Sequence, residues 1–146
     1  RDLRMSRGLG DVYKRQVILG SDTVVAADGK ILGKPKSHEE AYEMIRRLAG
    51  RSHQVYTGVC LVKKGPEGEA DTVVSFYDET DVNVSPMTEK EIREYADSEE
   101  PMDKAGSYAV QGFFARYIDG LKGSYANVMG LPVHLVYQEL KKLGAL

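Results

Sequence analysis

The stretch Val17–Pro35, VILGSDTVVAADGKILGKP, decides how this chain is built. Val17-Ile18-Leu19 starts an apolar strand, Gly20-Ser21-Asp22-Thr23 interrupts it with small and polar groups, and Val24-Val25-Ala26 resumes it. These runs predict a strand over 17–27, buried on both faces as far as Gly20 and bent at the polar interruption. Asp28-Gly29 is a strong hairpin signal, because both residues tolerate the positive φ of a tight two-residue turn. The chain then returns to Gly33-Lys34-Pro35, which sets Asp22 and Lys34 at two ends of one hairpin. Taken alone, an acid between Ser21 and Thr23 reads as a turn cap.

Beyond the hairpin, Ser37 with Glu40 three residues later forms a capping box, and Gly50 closes the helix it starts. Ala41, Met44, Ile45 and Leu48 supply its apolar stripe, and Glu43 and Arg47 make an exposed i,i+4 pair. Two long strands follow, over 52–62 and 72–84, separated by a Gly-Pro loop and read as an antiparallel pair. Thr88 and Glu91 form a second capping box, starting a helix that turns Ile92, Tyr95 and Ala96 inward and ends before Pro101. A glycine-punctuated stretch, Pro101–Gly112, leads to a short strand at Phe113-Phe114-Ala115, a turn at Asp119-Gly120 and a polar loop over 124–130. Pro132 opens the last helix at its first position, with Val133, Val136, Tyr137, Leu140 and Leu143 facing inward and Gly144 ending it. Strands and helices mixed without regular βαβ alternation predict an α/β domain with a mixed sheet.

A chain of 146 residues, 42% hydrophobic, is enough for one domain that buries roughly 70% of its unfolded surface. A net charge of −2 gives no global reason to bind nucleic acid or an anionic membrane, so any anion must be met by a local site. The single cysteine, Cys60, sits in an apolar run and reads as a buried, inert thiol, which excludes an intrachain disulfide framework. No apolar run approaches the roughly 20 residues a membrane span needs, and a cytoplasmic location is the expectation. Residues 1–16, RDLRMSRGLGDVYKRQ, stand apart: five basic and two acidic groups, with no periodicity. They read as a foreign or mis-assembled segment, similar to translated adaptor sequence, which leaves a single domain over 17–146.

Chemistry-bearing residues gather at strand ends and in glycine-rich loops, where the backbone can approach a ligand: Asp22, Thr23, Lys34, Asp103, Lys104 and Gln111. Two acids and two lysines near one cleft suit a metal-bound polyphosphate, the carboxylates holding a divalent cation or orienting water and the ammonium groups neutralising phosphate oxygens.

At these residues the chain resembles the Maf family of nucleoside triphosphate pyrophosphatases. The likeness is carried by GSDTVV at 20–25, ILGKP at 31–35, LAGR at 48–51, HQVYTGV at 53–59, PMDKAGSY at 101–108, VQG at 110–112 and NVMGLP at 127–132. It implies an elongated α/β sheet with a nucleotide cleft, and hydrolysis of a nucleoside triphosphate to the monophosphate and pyrophosphate with Mg or Mn. By the same resemblance Asp22 is the proton acceptor and a metal contact, Lys34 a catalytic or phosphate contact, and Asp103 and Lys104 assist metal and phosphate. Thr23 and Gln111 match relatives that act on dTTP and UTP, whereas those acting on 7-methyl-GTP tend to carry Gln and Glu there. The physical logic is that a neutral amide both donates and accepts toward a pyrimidine edge, while a carboxylate only accepts. Thr57 and Tyr108 read equally well as packing residues. The family's opening S-x-S-P-R-R loop has no counterpart among these residues, so the expected domain lacks that first strand and loop. A 7-methyl-GTP or inosine triphosphate hydrolase and an inactive nucleotide-binding regulator stand as alternatives. A homodimer is implied by the resemblance alone.

Overall fold

The structure is a computed structural model that describes residues 2–5 and 16–146. One six-stranded sheet carries the fold: β1 (Asp2–Met5), β2 (Val17–Ala27), β3 (Lys30–Leu32), β4 (Ser52–Lys63), β5 (Thr72–Val84) and β6 (Ile118–Lys122). The order is β1-β2-β4-β5-β6, with β3 also on β2, and every described pairing is antiparallel. Among the described residues four helices flank it: α1 (His38–Leu48), α2 (Glu89–Ala96), α3 (Tyr125–Met129) and α4 (Val133–Lys142). The α/β class with flanking helices is therefore as the sequence indicates. The reading of residues 1–16 as foreign falls, for residues 1 and 6–15, outside the described residues; of the rest, Asp2–Met5 pair with Val17–Gly20.

The turn after β2 has φ of 52° at Asp28 and 78° at Gly29, the doubly positive geometry whose twist matches the flanking strands. No bend occurs at Gly20–Thr23: β2 pairs with β4 in one unbroken register from Val17↔Lys63 to Ala26↔Gln54. A small polar run breaks the hydrophobic pattern without breaking the ladder, because backbone hydrogen bonds do not depend on what the side chains are.

Both predicted helix starts hold. Ser37 Oγ accepts from the Glu40 amide in α1, but the Glu40 carboxylate turns to the Lys36 amide rather than closing the box on Ser37. Thr88 and Glu91 make the full reciprocal box in α2. The charges on α1 serve α2: Arg46 pairs with Glu89, and Arg93 reaches Glu39.

Alternation then decides the core. Odd-numbered residues of β2 and β4 and even-numbered residues of β5 face the helices, in two apolar clusters. One joins Val25, Leu32, Val55, Val82 and Val84 to Ile45 and Leu48 of α1, Ile92 and Tyr95 of α2, and Tyr108 and Phe114. The other joins Val17, Leu19, Val59 and Leu61 to Val136 and Leu140 of α4.

Several local expectations are corrected. Phe113–Tyr117 is a 3₁₀ turn, not a strand; the strand is β6 just after it, and Asp119-Gly120 lies inside that strand. The supposed loop over 124–130 contains α3, started by Ser124, whose Oγ accepts from the Asn127 amide. Pro132 occupies the cap position rather than the first turn of α4, and Val133 and Tyr137 are exposed because the helix contacts the sheet only through a narrow stripe. Cys60 is half-buried on the face away from the helices, since its even number points it out of the core.

Candidate active site

The site is organised by a gap in the sheet. One edge of β2 is fully paired with β4. On its other edge, β1 covers Val17–Gly20 and β3 covers Val25–Ala27, so among the described residues Ser21–Val24 have no strand partner on that side. Asp22 and Thr23 occupy this notch. Their side chains point to opposite faces by the period-2 rule, but both stand beside the open edge.

On the helix-covered face, a cavity of about 370 Å³ opens at Thr23 and is lined by Val55, Asp103, Lys104, Tyr108, Gln111 and Met129, among others. The loop that brings Asp103 and Lys104 here is pressed against the sheet. Gly106 donates to the Gly33 carbonyl at 3.1 Å, and a Cβ on Gly106 would lie 2.8 Å from a Val25 methyl. Gly106 and Ser107 both have positive φ, 73° and 70°, and for Ser107 that conformation costs roughly 1–2 kcal/mol. Such strain persists only where surrounding contacts impose it. Here Ser107 is buried, with its hydroxyl on the Met44 sulfur.

The same Gly33 contact fixes the start of Gly33-Lys34 beside this loop. Lys104 Nζ donates to Asp103 Oδ1 at 2.7 Å, and this bond, with the charge of Lys34 nearby, holds the Asp103 carboxyl below the usual range. Lys34, Asp103 and the half-buried Lys104 thus form one charged group carrying two cations and one anion.

Asp22 is placed differently from the sequence expectation of a single cleft shared with Asp103. It is exposed on the open face, beside a shallow depression of about 460 Å³ lined by Gly20, Ser21, Gly58, Cys60, Ser75 and Phe76. Gly58 is its direct cross-strand neighbour, and there is empty space where a Cβ on Gly58 would point. Nor does Asp22 cap a turn; it sits in a continuous ladder. A carboxylate at the centre of a strand, where a β-branched residue would fit better, has no role in holding the fold.

Four residues that sequence reading passed over or left as packing complete the picture. Glu100 accepts from the amides of Phe113 and Phe114 at 2.9 and 3.2 Å and from the Tyr95 hydroxyl at 2.6 Å. It therefore ties together both ends of the segment carrying Asp103, Lys104 and Gln111. Burial would raise its carboxyl, but the bonds from Tyr95, Phe113 and Phe114 outweigh this and leave it lowered. His53, fully buried, has Nε2 2.7 Å from the Tyr108 hydroxyl, and burial lowers its pKa to about 4. Burial likewise pushes the Tyr108 phenol up. Thr57 and Asn127, also fully buried, bond to each other behind Thr23.

The profile of the family described as Maf-like protein matches residues 3–143. The chain belongs to the Maf family. The Maf match begins inside the segment that composition set apart, at residue 3. A protein of Agathobacter rectalis named dTTP/UTP pyrophosphatase is 52% identical over 131 residues, covering 88% of this chain and 62% of that protein. A protein of Lachnoclostridium phytofermentans with the same name is 48% identical over 128 residues, 88% of this chain and 64% of its own. One from Clostridium perfringens, again so named, is 42% identical over 145 residues, 97% of this chain and 73% of its own. The chain thus spans a little under two thirds of the length of the first two Maf relatives. No described helix is long and apolar enough to cross a membrane.

Proposed function

We propose that this Maf chain belongs to an enzyme that hydrolyses dTTP and UTP to the monophosphate and pyrophosphate. The observation that carries the reading is the pair Asp103 and Lys104, with the charge of Lys34 near Asp103, at a cavity whose other polar side chains, Thr23, Tyr108 and Gln111, are neutral. Two lysine cations suit a triphosphate, and neutral donor–acceptor groups suit a pyrimidine ring. The names of relatives 41–52% identical agree with it.

In this reading the triphosphate lies along the notch of β2. Water attacks the α-phosphorus, the bond to the bridging oxygen breaks, and pyrophosphate leaves while Lys34 and Lys104 neutralise the phosphate oxygens. Asp22, exposed at the notch, takes the proton of the attacking water. Among the described residues no group of three or more His, Cys, Asp or Glu is assembled for a metal. Asp103, at the cavity, and Asp22, on the other side of the notch, are the carboxylates that would contact a Mg or Mn ion brought in with the triphosphate. Such an ion, when bound, would supply charge neutralisation and polarise the phosphoryl group.

The test is pyrophosphate release from a panel of UTP, dTTP, CTP, GTP and 7-methyl-GTP with each metal. Preference for UTP and dTTP is expected; preference for a purine would transfer the assignment to the 7-methyl-GTP class. Nucleotide binding without any turnover would favour a regulator.

A further inference from the structure

Thr57 carries one hydroxyl hydrogen and has two oxygen neighbours, Thr23 Oγ1 at 2.9 Å and the Asn127 carbonyl at 3.0 Å. A carbonyl has no hydrogen to give, and two oxygens this close with no hydrogen between them repel. The Thr57 hydrogen must therefore go to the carbonyl, and the second contact is satisfied only if Thr23 donates its own hydrogen to Thr57. The donors behind this pair have fixed roles. Asn127 donates through its amide nitrogen to the Val55 carbonyl at 3.1 Å and to Thr80 Oγ1 at 3.0 Å, and Thr80 donates to the Ser124 carbonyl at 2.9 Å. Thr57, Thr80 and Asn127 are all fully buried, so water does not compete for these bonds. The chain of hydrogen bonds ends at Thr23, the one hydroxyl of the network that lines the cavity. With its hydrogen committed inward, Thr23 presents only lone pairs to whatever enters.

We propose that Thr57 and Asn127 are positioning residues that hold Thr23 as a hydrogen-bond acceptor, so that the site selects a pyrimidine with a ring N–H over one with a bare ring nitrogen. This rests on the dTTP/UTP reading. Uracil and thymine carry a hydrogen at N3 between two carbonyls; cytosine has an unprotonated N3. Against Thr23 the first makes a hydrogen bond and the second sets two acceptors face to face, which costs the desolvation of both. Gln111, on the same cavity, can give its amide hydrogens to a flanking carbonyl.

Thr57→Val removes the hydroxyl at nearly constant volume and releases the Thr23 hydrogen to turn toward the cavity, where it can meet cytosine N3. The experiment is calorimetric binding of UTP and CTP to the full chain without added divalent metal, for the unaltered protein, Thr57→Val and Thr57→Ser. The unaltered protein should favour UTP, Thr57→Val should lower the UTP-to-CTP affinity ratio by about tenfold, the worth of one neutral hydrogen bond, and Thr57→Ser should keep the ratio. An unchanged ratio in Thr57→Val, or the same fall in Thr57→Ser, overturns the proposal while leaving the pyrimidine reading intact. Should Thr57→Val not fold, 3-methyl-UTP on the unaltered protein decides: loss of at least about tenfold against UTP supports the proposal, and equal binding overturns it. If the unaltered chain binds neither UTP nor dTTP, the pyrimidine reading fails and this assignment falls with it.

Discussion

The two ends of the helix-covered sheet face are built alike, and the middle is built otherwise. At one end Val17, Leu19, Val59 and Leu61 pack under α4; at the other Val25, Val55, Val82 and Val84 pack under α1 and α2. Between them runs a polar waist: Thr23 opposite Thr57, and Thr80 next on β5, all tied to Asn127. Valine in place of the buried threonines would serve stability as well or better, since a buried hydroxyl only breaks even when its bonds are made. The waist is thus explained by what stands beside it: the cavity at Thr23 and the open edge of β2. Burial holds the ends; hydrogen-bond direction holds the middle.

Breaking the comparison at its chemical side should give the largest effect. Asp22→Asn removes a carboxylate that makes no contribution to packing, so we expect turnover to fall by ~10²–10⁴ with melting unchanged. A pyrophosphate-release assay beside a thermal melt checks this, and full activity in the folded variant would take Asp22 out of the reaction. Leu61→Ala attacks an apolar end instead. Leu61 is fully buried, and its truncation should cost about 3 kcal/mol of stability while leaving turnover per folded molecule near normal. Denaturant titration and an active-fraction-corrected rate measure both halves; an equal loss of turnover would mean the ends and the waist are not separable.

A further expected effect, confined to acid pH, comes from His53. His53 is held neutral in the fold, with a pKa lowered to about 4 against 6.5 when unfolded. Below the unfolded value the unfolded chain binds the extra proton and the folded chain does not, so stability is complete above about pH 6.5 and falls as the pH drops toward 4. The fall should be on the order of 3 kcal/mol at its limit, and His53→Asn should flatten it in urea midpoints taken across that range.

The apolar ends were readable in the sequence because they repeat. Strands over 17–27, 52–62 and 72–84, the second ending one residue later in the structure, and the caps at Ser37 and Thr88 follow from alternation and local side-chain chemistry. The waist was not readable in the same way. Gly20–Thr23 look like a bend because nothing local shows that β4 pairs straight across them. The opposed directions of Asp22 and Thr23 appear only once the ladder is known to be unbroken. Asn127 and Glu100 act over long separations, Asn127 on Val55 and Thr80 and Glu100 on Phe113, and no periodicity marks such partners. Phe113-Phe114-Ala115 misled for a related reason: an apolar triplet has no preferred period, and the segment turns because Glu100 captures two of its amides.

Among the described residues, the unpaired stretch of β2 has a consequence for which chains can add to it. A bare strand edge invites another chain to add to it, and proteins usually blunt such edges. Here the opening is only Ser21–Val24, closed above and below by β1 and β3. A foreign strand of typical length, about five or six residues, would collide with both neighbours before it could register. A small molecule meets no such obstacle. The gap therefore sorts guests by size, open to a small molecule and shut to a sticking sheet.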